Sequence, residues 1–244
     1  MCVVRKKKLY KMKKQIIAFG GGGFSMEPEN PLIDDYILVQ SDKAKPNICF
    51  IGTASGDAES YSDRFYKCFN TKSCNPTHLS LFKGETADIE SFILKQDIVY
   101  VGGGNTRNML VLWKEWNLDK ILFNAYEKGT ILTGLSAGAI CWFEQGLTDS
   151  VPGQLNALNC LGFLKGSNCP HFDGEVERQE AYKNKILSGE MKAGYACDDG
   201  VGLHYVNEKL EKIVSSRPNA KARFFSVNNN VLDEEIIKPI FLGE

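Results

Sequence analysis

The hydrophobic positions of the chain fall into short apolar runs separated by longer segments with a helical repeat. The runs are rich in Ile and Val and are bounded by Gly, Pro or Asn, which is typical of strands buried in a parallel sheet. They are Gln15–Phe19, Asn47–Ile51, Thr77–Leu81, Asp97–Val101 and Thr130–Thr133. Their alternation with helices predicts an α/β fold with a doubly wound, mostly parallel sheet.

Three segments carry the helical repeat, over residues 57–69, 109–116 and 118–126. In the second, apolar residues follow the i, i+3, i+4, i+7 spacing of one helix face. We interpret that face as core packing and not as a cofactor site.

The pattern changes after about residue 195, where four short strand candidates are separated by turn residues. They are Gly200–Tyr205, Lys209–Ser215, Ala222–Val227 and Ile236–Phe241. We expect them to form antiparallel strands at the edge of the parallel sheet.

Composition narrows the class of protein further. The 244 residues carry a net charge of −1, which gives no electrostatic footprint for nucleic acid or for an anionic membrane surface. No stretch approaches the ~18 apolar residues of a membrane span. Eight cysteines without a C-x-x-C pair or a histidine cluster predict a reducing, cytoplasmic location and no metal.

The amino-terminal residues differ from the rest of the chain. Residues 1–12 are basic, and no apolar segment of signal-peptide length follows them. We therefore predict a disordered leader or tag-like extension over 1–12 and a single domain over 13–244.

The segment Gly134-Leu-Ser136-Ala-Gly138 follows a predicted strand and precedes a helix-like stretch. In that context G-x-S-x-G predicts a nucleophile elbow, whose tight turn requires small flanking residues. Ser136 would then lie at a helix N-terminus, where free N–H groups favour negative charge. The N–H of Ala137 is a candidate donor to an oxyanion hole.

A run of three glycines, 102–104, follows another predicted strand. Such glycines let backbone N–H groups approach a ligand, so Gly103 or Gly104 is a candidate second oxyanion donor. The alternative is a tight turn that caps the next helix. A dinucleotide fingerprint would need glycine at position 107, where Arg107 stands, and no cofactor is expected.

A serine nucleophile needs a base, and the chain has three histidines. His78 and His204 lie in predicted strands, where histidines are usually structural. His171 lies in an irregular loop 35 residues after Ser136, and loops carry catalytic groups more often than cores do. We select His171 as the base.

A carboxylate should orient this imidazole, and spacing alone leaves several candidates open. They are Asp149, Asp173, Asp198 and Asp199.

Three motifs follow one another along the chain: Gly-Gly-Gly-Asn-Thr at 102–106, Gly-x-Ser-Ala-Gly-Ala at 134–139 and Pro-His-Phe at 170–172. In this order and spacing they resemble the aspartyl dipeptidase (peptidase E) family of serine peptidases, which is related to cyanophycinase. The resemblance covers nearly the whole chain from about residue 13. It implies a glutamine-amidotransferase-like α/β sandwich, Ser136 as nucleophile and His171 as base.

The resemblance also ranks the acids. Asp199 matches a late position where relatives often carry Glu, and Asp149 matches a loop position shortly after the elbow. We favour Asp199 for the catalytic triad and keep Asp149 as the alternative. A preference for an N-terminal Asp in the substrate would need a cation, for which Arg107 and Arg178 are the candidates by position.

The leading hypothesis is a cytoplasmic serine dipeptidase or exopeptidase that cleaves short peptides, with a homodimer left open. Two alternatives remain. One is a non-catalytic binding or sensor protein on a hydrolase scaffold. The other is an esterase or amidase with chain order Ser, acid, His, which Asp149 fits and Asp199 does not.

Overall fold

A computed structural model describes residues 13–243 of the chain. The predicted leader at residues 1–12 lies outside the described residues, and the division into leader and single domain stays a prediction. Within residues 13–243, none of the helices is both long enough and apolar enough to cross a bilayer.

The described residues form fourteen strands. In chain order they are β1 (Gln15–Phe19), β2 (Asn47–Ile51), β3 (Asn75–Leu79), β4 (Ile98–Val101), β5 (Ile131–Leu135), β6 (Phe143–Val151), β7 (Gln154–Asn159), β8 (Leu164–Cys169), β9 (Gly194–Cys197), β10 (Val201–Val206), β11 (Lys209–Ser215), β12 (Ala222–Asn228), β13 (Val231–Ile237) and β14 (Ile240–Phe241).

The same residues form eight α-helices. They are α1 (Gly23–Met26), α2 (Leu32–Leu38), α3 (Glu59–Phe69), α4 (Ile89–Ile93), α5 (Thr106–Glu115), α6 (Leu118–Glu127), α7 (Ala137–Ile140) and α8 (Val176–Leu187).

The first sheet has the order β14-β11-β10-β1-β5-β4-β2-β3. Strands β1 to β5 are mutually parallel, and β10 joins β1 in antiparallel pairing. The predicted α/β class with a mostly parallel sheet is therefore confirmed. All five residues of β1 are buried, as expected for a strand covered on both faces.

Alternate residues of β1 enter two different cores. Ile17 and Phe19 pack with the aromatic side chains of α1 and α3, whereas Ile16 and Ala18 pack with α5, α6 and the second sheet. Period-two alternation of this kind is what a strand with two buried faces requires.

The apolar helix face predicted over residues 109–116 packs into the core, as expected. Its residues Met109 and Trp113 are fully buried.

A second sheet, with the order β13-β12-β9-β8-β6-β7, was not predicted as a separate layer. The prediction that the carboxyl-terminal strands all join the edge of the parallel sheet is correct for β10 and β11 and wrong for β12. Ala222 of β12 packs into the core between the sheets, and Phe225 packs beneath α8 against Phe172 and Tyr182. As part of the second sheet, β12 thus buries apolar side chains on both of its faces.

The predicted strand over residues 236–241 is divided in the structure. Strand β13 ends at Ile237 and β14 begins at Ile240. Pro239 lies between them and has no N–H to donate to a ladder, which accounts for the break.

Candidate active site

Three glycine-containing loops meet at one edge of the first sheet. They follow β1, β5 and β4, which are neighbours in that sheet, with β5 in the centre. Carboxyl ends of parallel strands share one edge, where open α/β sheets bind ligands. The loops bring Gly20–Gly23, Ser136 and Gly102–Gly104 to this edge.

Ser136 occupies the sharp turn between β5 and α7. Its φ of 52° and ψ of −114° lie outside the regions that L-residues ordinarily adopt. Ser136 precedes the first residue of the helix, and its carbonyl accepts the N–H groups of Ala139 and Ile140. The predicted strand, turn and helix of a nucleophile elbow are thus present around Ser136.

Small residues beside Ser136 are required by the packing of the turn. A Cβ at Gly134 would lie 2.6 Å from the carbonyl oxygen of Gly138, and a Cβ at Gly138 would lie 2.7 Å from the carbonyl carbon of Val101. Both distances are shorter than van der Waals contact allows. Glycine at 134 and 138 therefore permits the turn to lie against β4.

His171 and Asp199 reach the same edge from the second sheet. His171 lies just after β8 and Asp199 just after β9, and these two strands are parallel neighbours. The Nδ1 of His171 is 2.7 Å from Oδ1 of Asp199, and both side chains are largely buried. The N–H of Phe172 also donates to the carbonyl of Cys197, which ties the two loops together.

The Asp199 carboxylate is ionised and held from several sides. Burial raises its pKa, but the hydrogen bond from His171 and the charges of His171, Arg217 and Arg178 outweigh burial and hold the pKa below its usual value. Its backbone N–H donates to Oδ1 of Asp173 at 2.8 Å. An ionised acceptor at Nδ1 leaves the Nε2 lone pair of His171 available to accept a proton.

Gly21 lies directly against the His171–Asp199 pair. A Cβ at this position would be 2.9 Å from Nδ1 of His171 and would overlap Oδ1 of Asp199. The carbonyl of Gly21 accepts the N–H of Gly200 at 2.8 Å. The glycine run after β1 therefore leaves room for the His171–Asp199 pair.

Ser136 and His171 line a common cavity of about 290 Å³. Its other lining residues are Gly104, Asn105, Asp149, Ser150, Glu175 and Arg178. No hydrogen bond joins Ser136 to His171 among the described residues; such bonds are often long before substrate is bound. A larger cavity of about 850 Å³, between Asp35 and Ser73, contains none of the candidate residues.

The two alternative acids have different surroundings. In the described part of the chain, Asp149 makes neither a hydrogen bond nor an ion pair with His171. Its side chain is 71% exposed, and its Oδ2 lies 3.8 Å from Nη2 of Arg178. Asp199 is thus the carboxylate that the structure brings to the imidazole.

The two candidate cations also differ. Arg178 is 2% exposed and lines the cavity, where it donates to Glu175 at 2.7 Å and to the carbonyl of Leu147 at 3.4 Å. Arg107 is exposed and does not line the cavity, although its N–H donates to Oγ of Ser150. Of the two candidates, Arg178 is therefore the one that shares the cavity with Ser136.

The predicted oxyanion donors are not equivalent. The N–H of Gly103 already donates to the Tyr61 hydroxyl at 3.1 Å, and Oγ of Ser25 donates to the same oxygen at 2.8 Å. Ala137 is the first residue of α7, so its N–H has no acceptor inside the helix. Sequence spacing gave no sign of Tyr61, which comes from α3.

The other two histidines are bound within the fold. His78 bonds the hydroxyl of Tyr66 at 2.8 Å, and His204 bonds Tyr36 at 2.7 Å and Gln15 at 3.0 Å. Burial lowers the pKa of His204 to about 4, so this ring is neutral at physiological pH.

Comparison with known proteins adds a family. Residues 16–213 match the family model described as Peptidase family S51. Over 209 residues the chain is 57% identical to a Bacillus subtilis (strain 168) protein named uncharacterized peptidase YgaJ, covering 86% of this chain and 90% of that protein.

Two solved structures are similar in fold. One is a peptidase from an acI-B1 Actinobacterium, with a TM-score of 0.67, 19% identity and 96% of each chain covered. The other is a putative peptidase E protein from Listeria monocytogenes EGD-e, with a TM-score of 0.57 and 16% identity, covering 93% of this chain and 100% of that one.

Proposed function

Since the chain belongs to peptidase family S51 and is a serine-type peptidase, we propose that it cleaves short peptides through an acyl-enzyme formed on Ser136. One observation carries the proposal. Ser136, in a strained turn at a helix N-terminus, shares a small cavity with His171, and the Nδ1 of His171 is bound by the ionised carboxylate of Asp199.

In the proposed reaction, Nε2 of His171 accepts the proton of Ser136 as Oγ attacks the scissile carbonyl carbon. His171 then gives that proton to the leaving amine, and an acyl-enzyme remains. A water molecule, deprotonated by the same imidazole, releases the acid product. Asp199 keeps the Nδ1 proton in place and stabilises the imidazolium of each step.

The tetrahedral intermediate requires N–H donors aimed at its oxyanion. We assign this role to the N–H of Ala137, at the N-terminus of α7 where the helix dipole is positive, and to the N–H of Gly104, which lines the cavity. Gly103 supports the loop instead, because its N–H is already bonded to Tyr61.

The volume and the charged residues of the cavity also indicate a class of substrate. At about 290 Å³ it accommodates a few residues of a peptide and not a folded chain. Arg178 offers a buried cation for a substrate carboxylate, while Asp149 and Glu175 offer acceptors for an ammonium group. We therefore propose a dipeptidase or exopeptidase that acts on short, charged peptides. Its cytoplasmic location and a homodimeric state stay predictions.

The test is hydrolysis of a dipeptide panel, including dipeptides with N-terminal Asp, by wild type and Ser136→Ala. Turnover should be lost in the variant, and a fluorophosphonate probe should label wild type only. Ser150→Ala is the matched control, since Ser150 lines the same cavity and its variant must still be labelled.

The remaining outcomes separate the alternatives. Equal turnover by wild type and Ser136→Ala would refute the proposed nucleophile. Folded wild type that neither turns over nor labels would favour the binding protein, and cleavage of esters without peptides would favour the esterase.

A further inference from the structure

The side chain of Arg217 lies on the far side of Asp199 from His171. Its Nε is 2.6 Å from Oε1 of Glu27, and its two terminal nitrogens are 3.5 Å from Oδ2 of Asp173 and 3.8 Å from Oδ2 of Asp199. One guanidinium thus faces three carboxylates beside the candidate triad.

We propose that Arg217 is a positioning residue that holds the Asp199 carboxylate in the orientation His171 requires. This inference rests on the proposed function of Ser136, His171 and Asp199. Arg217 itself does not line the cavity that contains Ser136.

The two oxygens of Asp199 have different partners. Oδ1 accepts from His171 at 2.7 Å, and Oδ2 faces Arg217. The hydrogen bond at Oδ1 and the charge of Arg217 beside Oδ2 together favour one orientation of the carboxylate, and with it one direction of the imidazole. Asp173 contributes to the same arrangement, because its Oδ1 accepts the Asp199 N–H and its Oδ2 faces Arg217.

The surrounding backbone is shaped to hold Arg217 in this position. Gly200 has a φ of 80°, and a Cβ there would be 3.0 Å from Cγ of Arg217, so glycine lets the arginine side chain cross the loop. Oγ of Ser215 accepts the Arg217 N–H at 3.0 Å and donates to its carbonyl at 2.8 Å.

The charges around the pair determine the effect of removing Arg217. Glu27 and Asp173 add two carboxylates, and within residues 13–243 the arginines that act on Asp199 are Arg217 behind it and Arg178 on the cavity side. Without Arg217, three carboxylates lie close together without a cation between them. The excess negative charge favours the imidazolium form of His171 over the neutral form that accepts the proton of Ser136.

The experiment measures kcat/KM against pH, together with the pH dependence of fluorophosphonate labelling, in four proteins. They are wild type, Arg217→Met, Arg217→Lys and the matched control Arg223→Met. Arg223 binds the adjacent carboxylate, Asp198, at 2.7 Å and makes no ion pair with Asp199 within the described residues. Thermal unfolding of each protein reports its folding.

In Arg217→Met we expect the acidic limb of both profiles to move up by about one pH unit. We expect kcat at neutral pH to fall about tenfold with little change in KM, since a positioning role acts on the reacting groups. Arg217→Lys keeps the charge, so its acidic limb should stay near the wild-type value while kcat falls. Arg223→Met should leave the limb unchanged.

An unshifted limb in folded Arg217→Met, or an equal shift in Arg223→Met, would overturn the proposal. If Arg217→Met does not fold, Arg217→Lys decides, and unchanged kcat together with an unchanged limb would overturn it. Wild type that is neither active nor labelled would instead refute the proposed function, on which this inference depends.

Discussion

Replacing Gly21 by alanine tests whether the observed contact between His171 and Asp199 is needed for catalysis. The added Cβ would lie 2.9 Å from Nδ1 of His171 and inside the contact distance of Oδ1 of Asp199. Carbon and oxygen need about 3.5 Å, so the carboxylate must retreat by about 1 Å or more. Gly21 does not have a positive φ, so the alanine backbone itself is unstrained.

The size of the effect is bounded on both sides. A displacement of about 1 Å can cost about 10²-fold in rate, and loss of the correct imidazole tautomer costs about 10⁴-fold in a serine protease. We therefore expect kcat/KM of Gly21→Ala to fall by about 10²-fold to 10⁴-fold, or about 3 to 5 kcal/mol of transition-state stabilisation.

The assay is steady-state hydrolysis of the best dipeptide of the panel, with thermal unfolding to establish that each protein is folded. Gly174→Ala is the matched control. It lies three residues after His171, and the nearest atom to its added Cβ would be the His171 carbonyl oxygen at 4.0 Å. Wild-type kcat/KM in folded Gly21→Ala would refute the catalytic use of this pair.

Two further predictions concern buried and exposed carboxylates. Asp199→Asn should lower kcat by about 10⁴-fold, whereas Asp149→Asn should leave kcat close to wild type and act mainly on KM; the reverse order would identify Asp149 as the acid. Burial raises the pKa of Asp34 from 3.8 to about 7, so the folded state favours its protonated form and the unfolding free energy should fall as pH rises from 4 to 7. Asp34→Asn should remove that fall, which is on the order of 3 kcal/mol between pH 5 and pH 8 and is measured by urea unfolding. An equal fall of the unfolding free energy in wild type and in the variant would contradict the raised pKa of Asp34.

The sequence predicted the first sheet well because its strands are continuous apolar runs. The bounds of β1 and β2 agree with those predicted, and helix α3 begins two residues later than expected. The second sheet was harder to predict, since β6 and β8 mix polar residues and glycine with apolar ones and carry neither the continuous nor the alternating pattern.

Within the site, short sequence motifs identified the residues whose conformation depends on their neighbours in the chain. The turn at Ser136 is determined by its own neighbours, so G-x-S-x-G predicted its geometry. The bond from Gly103 to Tyr61 and the contact of Arg217 with Asp199 join residues more than 15 positions apart in the chain, and neither has a short-range pattern. Such pairings are specified by packing of the whole fold.

At position 199 an Asp must approach the histidine more closely than a Glu would, because its side chain is one carbon shorter. The structure shows how its backbone is brought in. The Gly200 N–H bonds the Gly21 carbonyl, and the Asp199 N–H bonds Asp173, which draws the loop after β9 towards β1. Because residue 21 has no side chain, the short carboxylate reaches Nδ1 of His171 at 2.7 Å. A longer acid would reach the same nitrogen only from a more distant backbone, and the bonds to Gly21 and Asp173 hold this backbone close. We therefore expect Asp199→Glu to displace the imidazole and to lower kcat/KM for dipeptide hydrolysis by about 10²-fold, and wild-type kcat/KM in the folded variant would contradict this account.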